Sequence, residues 1–147
     1  MTLTLCACAL IPAGDHSEEP PAIFHEHAPI KNVCIVNNPE QQSGAVLVAI
    51  QSELKESNIE SRVYEIFTNN PECEAWLFYM VNTQWADFAD QGFHPYVSFV
   101  SLTLREPSGR IISTAFYWPG KDDEKERWRP TRTKLKPVVK MLLTGNK

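Results

Sequence analysis

The sequence predicts an α+β fold, a two-layer sandwich in the order β-α-β-β-β-α with two helices on one face of a mixed four-stranded sheet. Three observations carry this expectation. Short runs of β-branched and aromatic residues recur between turn signals. Two longer stretches place their apolar residues on a single stripe at helical spacing. With 147 residues, 43% of them hydrophobic and 22% charged, the chain can build one domain with a true core.

The elements follow in order. "KNVCIVNNP" (31–39) is a short β-branched run closed by a turn signal, as a buried strand should be. Asn38, Pro39 and Gln41 then have the form of a helix start: a capping side chain, a proline at the first position and a glutamine at the third. Behind them Leu47, Ile50 and Leu54 form a stripe with Val46 beside it, and Gln51, Glu53, Lys55 and Glu56 fall elsewhere. This is an amphipathic helix ending near Asn58. "IESRVYEIF" (59–67) alternates as a strand, with Val63, Glu65 and Phe67 opposite Arg62, Tyr64 and Ile66.

After the loop "TNNPEC" comes the aromatic-rich strand "AWLFYMVNTQWADF", apolar on both faces and therefore central or partnered. "PYVSFVSLTLRE" and "RIISTAFYW" make a hairpin about Pro107-Ser108-Gly109. The polar loop "PGKDDEKERWRPTR" leads to a last helix marked by Leu135, Val138, Val139 and Leu142 and closed by Gly145, with Pro137 expected in its first turn.

The first thirty residues have another character. Met1 to Ala13 is apolar apart from two threonines, and Gly14 to Pro29 is rich in Pro, Glu and His without any period. An apolar head, a polar tether and a domain follow the order of an exported, envelope-anchored protein. No Lys or Arg precedes the apolar run. Either the true start lies upstream, or the head is the apolar N-terminus of a cytosolic protein that begins at Met1. Leu5-Cys6-Ala7-Cys8 resembles a bacterial lipobox and favours the first reading. That resemblance makes Cys8 the lipid-modified residue, with Cys6 leaving with the signal, and the membrane a partner through the lipid. It divides the chain into a signal remnant at 1–8, a flexible linker at 9–30 and the domain at 31–147.

From Cys34 onward, "VCIVNNP", the "PEC" before the long strand and Trp85-Ala86-Asp87 after it resemble a group of small bacterial envelope lipoproteins without assigned function. That group is similar in turn to β-α-β-β-β-α modules of periplasmic and outer-membrane lipoproteins. The resemblance implies a periplasmic protein at the outer membrane and no activity; the insertion-like "DQGFH" between the third and fourth strands, and the missing basic start of the signal, depart from it. The expected role is an interaction module with an envelope protein partner on the open sheet face.

The remaining chemistry is sparse. In an oxidising compartment Cys34 and Cys73 are left as a disulfide pair; in a reducing one they are two buried thiols. His16, His25 and His27 lie in the linker, a poor frame for a metal, and His94 stands alone in a turn, so no metal or other cofactor is expected. Trp85 and Asp87 are candidates for a turn or an interaction site. No nucleophile elbow, phosphate loop or dinucleotide turn is present, so no catalytic residue is named. An enzyme built on Asp87, His94 or the linker histidines is the outlying alternative. A net charge of −4 argues against nucleic acid, the short cationic run at 125–136 notwithstanding.

Overall fold

In the computed structural model, residues 18–41, 43–65, 70–120 and 123–146 are described. Cys6, Cys8 and His16 lie outside them. Alternation along "NVCIV" sends Val33 and Ile35 into the main core and Cys34 to the opposite face of β1 (Asn32–Val36). β2 (Glu60–Tyr64) and β3 (Ala75–Asp87) pair with β1 on either side, both parallel to it. β4 (Phe93–Arg105) and β5 (Ile111–Tyr117) continue antiparallel, so the sheet runs β2-β1-β3-β4-β5. The fold is therefore α+β with a mixed sheet, and among the described residues it has five strands, one more than the expected order counts. Each of the five occupies a run identified in the sequence. β3 is central, which accounts for its two apolar faces.

α1 (Gly44–Glu56) and α3 (Thr131–Thr144) pack side by side against one face of the sheet, and α2 (Glu124–Arg127) is a single turn before α3. Val46, Ala49, Ile50 and Leu54 from α1 and Leu135, Val138, Val139 and Leu142 from α3 close the core over Val33, Ile35, Leu77, Val100, Leu102 and Leu104.

Three expectations are corrected. The helix starts at Gly44 with Ser43 as its cap, not at Pro39. Asn38 instead closes a turn, its Oδ1 accepting from the Glu40 amide and its carbonyl from the Gln41 amide; the Gln41 side chain accepts from the Val81 amide and ties that turn to β3. Second, α3 begins four residues before Leu135, so Pro137 lies past its first turn. The helix continues through it on an exposed face, where the proline ring has no N–H to give the Thr133 carbonyl. Third, "DQGFH" is no plain insertion, because Phe93 and His94 belong to β4.

The expected linker also acquires structure at its end. Ile23 and His25 exchange backbone hydrogen bonds with β5, and Phe24 bridges to Ser113. Gly145 ends α3 at φ +71°, where a Cβ would meet the Phe24 ring at 2.8 Å. The segment before β1 therefore covers the β5 edge, one of the two edges of the sheet.

Candidate interaction surface

Helices cover one face of the sheet; the other is built from alternate residues of every strand. On β1 and β3 these are Cys34, Val36, Trp76, Phe78 and Met80, and on β4 and β5 they are Phe99, Ser101, Thr103, Thr114 and Phe116. Two aromatic groups form on it. At one end the Cys34–Cys73 disulfide, with Cα atoms 5.6 Å apart, packs with Trp76, and Tyr64 tilts against the indole at 5.6 Å. Trp76 is 1% exposed although no helix covers it, because the disulfide and its neighbours do. At the other end Phe99 stacks on Phe116 at 6.2 Å and meets the edge of Trp118 at 5.7 Å. Between them Arg105 lies over Phe78 at 5.3 Å, and Met80 stands 53% exposed.

The disulfide joins β1 to the head of β3 across 39 positions of sequence, pairing the two cysteines named from the sequence. Its formation is the state of an oxidising compartment and is rare in the cytosol.

Trp85 and Asp87 sit elsewhere. Beyond Val100, β3 and β4 leave the sheet as a two-stranded ribbon with a bulge at Asn82/Thr83. Asp87 shapes its tip: Oδ1 accepts from the Gly92 amide at 3.1 Å across a turn in which Ala89 and Asp90 adopt positive φ. Opposed pairs fix the ribbon's two faces. Gln84/Tyr96 and Ala86/His94 share one, and Trp85/Pro95 and Asp87/Phe93 share the other. On the first side Phe88 and Tyr96 hold the indole of Trp128, at 4.8 and 5.6 Å. On the second, Trp85 is 66% and Phe93 73% exposed. Asp87 and His94 consequently point to opposite faces and form no joint acid–base site.

Lys134 is the residue that the sequence pattern concealed. It is 2% exposed, inside the apolar stripe of α3. Its Nζ donates to the carbonyls of Val97 and Arg127 at 2.9 and 2.8 Å and faces the Tyr117 ring at 5.3 Å. Burial pushes its amine below the usual lysine range. Burial, and after it the Glu126 carboxylate, which accepts from the phenol at 3.2 Å, pushes Tyr117 well above the usual tyrosine range. This polar tie fixes the start of α3 to β4 and α2. The spacing of Lys134 to Val138 and Leu142, four and eight residues on, was the available signal. Two clefts of about 410 Å³ each open beside it, one toward the ribbon and the start of α1, the other toward Trp118 and Pro137.

Of the linker histidines, His25 is held by its backbone at β5, and His27 Nδ1 lies 2.8 Å from the Ala28 carbonyl. Among the described residues no three His, Cys, Asp or Glu side chains gather as a metal site, and no helix is long and apolar enough to cross a membrane.

No family model and no curated protein matches the chain. Its fold is similar to that of PelC from Paraburkholderia phytofirmans, solved as a dodecamer. One PelC structure superposes with a TM-score of 0.51 at 15% identity, over 80% of this chain and 96% of that one. A singly substituted PelC gives 0.51 at 13% identity, over 81% and 98%. At such identity the likeness is one of fold.

Proposed function

We propose that the chain is a lipid-anchored periplasmic interaction module, tethered through Cys8 at the outer membrane, that meets an envelope protein on the open face of its sheet. The observation that carries this reading is the asymmetry of the sandwich. One face is sealed by α1 and α3, and the other presents aromatic groups around an exposed Met80 with no layer over it among the described residues. The disulfide supports export, and the lipobox resemblance supports an anchor at the far end of the tether. Several acyl chains, at about 0.8 kcal/mol per buried methylene, give durable attachment.

Intact mass of the protein made from its own locus, with its upstream DNA, tests the anchor. A membrane-bound chain beginning at Cys8 with added acyl mass is expected. A soluble chain with an unmodified Cys8 would leave a small α+β protein without an anchor.

A second reading is favoured by the ribbon, whose Trp85 and Phe93 are the kind of aromatic pair that protein interfaces bury. PelC is a dodecamer, and self-association through the ribbon would make this chain a homo-oligomer too. Light scattering on the purified chain and on Trp85→Ser decides it: oligomers that dissociate in the variant are expected under this reading, and monomers in both would exclude it.

A further inference from the structure

We infer that the exposed face of α3 is a contact for anionic phospholipid headgroups, which turns the domain so that its open sheet face points away from the membrane. This deepens the anchored reading above and rests on it. Although the chain carries a net charge of −4, seven of its 14 Lys and Arg fall between residues 125 and 140, beside a single acid, Glu126. Arg132, Lys136 and Lys140 repeat at intervals of four and so form one line down the outside of α3, all exposed. Two carboxylates of α1 reach this line. Glu53 and Glu56 pair with Arg132, and Glu56 also approaches Lys136 at 3.6 Å. Lys140 has no carboxylate partner among the described residues.

The path of the tether singles out a membrane as the occupant. Phe24 lies against Gly145 at the end of α3, and Glu19 lies in the cleft between α3, through Pro137, Val138 and Met141, and the end of β5 with Trp118. The chain thus leaves the domain alongside α3, and Pro137 also borders the groove that contains Lys136 and Lys140. Only nine residues lie between Cys8 and Glu18, ten steps of the chain. Fully extended, they span about 35 Å, close to the diameter of a domain of this size. That reach lets α3, beside which the chain leaves, lie against the bilayer that holds a lipid on Cys8. A basic line at that distance is drawn to a negatively charged surface, and the attraction fades within a Debye length. Because α3 and the open sheet face lie on opposite sides of the sheet, this contact leaves the open face free for a partner.

The full chain carrying Cys8→Ser, which has no lipid, is sedimented with phosphatidylcholine vesicles and with vesicles containing about one third phosphatidylglycerol. Binding to the anionic vesicles alone is expected, weaker at high salt. Lys136→Gln/Lys140→Gln should reduce it about tenfold, and Lys136→Arg/Lys140→Arg should preserve it. Equal binding to both vesicle types, no binding, or an unaffected glutamine variant with an unchanged circular dichroism spectrum would overturn the inference. An unmodified Cys8 in the native protein would remove the anchor and leave the vesicle result standing, so the two failures are told apart.

Discussion

Trp76 and Trp85 lie on the same strand nine residues apart and should respond oppositely to truncation. Trp76 is enclosed by the disulfide, Tyr64 and Phe78. Trp76→Ala opens a cavity there and should cost about 3–5 kcal/mol in chemical denaturation. Trp85→Ala removes a largely solvated ring and should change stability by no more than about 0.5 kcal/mol. Comparable losses at both positions would mean that the ribbon is packed in a way the structure does not show. Glu74 acts at the same scale. Its carboxylate accepts from the Lys31 amide at 2.5 Å and the Asn32 amide at 3.2 Å, fixing the start of β1. These two bonds, the Lys31 amide first, hold its pKa below the usual carboxylate range. A group with a lowered folded pKa stabilises above its unfolded pKa and loses that contribution as pH falls through the folded one. Glu74→Gln should therefore flatten the acid side of the stability–pH curve below about pH 4.5; an unchanged slope would remove Glu74 from the account.

Among the elements, β1 and β3 are joined both by their parallel ladder and by Cys34–Cys73. Closing a loop of that length contributes roughly 3–4 kcal/mol by the chain-entropy relation. Cys34→Ala/Cys73→Ala should accordingly lower Tm by roughly 6–15 °C, and a reductant should change the parent's Tm and leave the variant's alone. The elements also show what could be read from the sequence. All five strands lie in runs found by alternation and turn residues, because a pleated strand writes its period locally. Gly145 ends α3 as expected, since a left-handed cap demands little context. The start of α1 was misplaced because Asn38-Pro39 carries the same local chemistry for a turn as for a helix cap. Glu53 and Lys134 were concealed for a different reason. Each is a charged residue on a buried stripe, and each is satisfied by a distant partner: Arg132 at 2.8 Å for Glu53, and the Val97 and Arg127 carbonyls for Lys134. The sequence cannot announce a partner 79 residues away.

Across the whole molecule, sequence order and spatial order converge on one arrangement. From Glu18 the segment before β1 runs along the β5 edge and the end of α3, and the basic line and the aromatic sheet face lie on opposite sides of the sheet. This two-sidedness, helices on one face of the sheet and aromatic groups on the other, was legible only as an uncovered face of an expected sandwich. Which residues populate that face depended on register, and the tether's return along α3 depended on tertiary contacts. The most direct measurement is thiol labelling of Met80→Cys and Val48→Cys, read at each position by peptide mass, in intact envelopes and in the purified chain. Both side chains are exposed, at 53% and 63%, on opposite sides of the sheet. Position 80 should be protected at least tenfold in envelopes relative to the purified chain, by a partner on the sheet face and not by the bilayer that the helical side, with position 48, approaches. Equal labelling of position 80 in the two preparations would contradict the account.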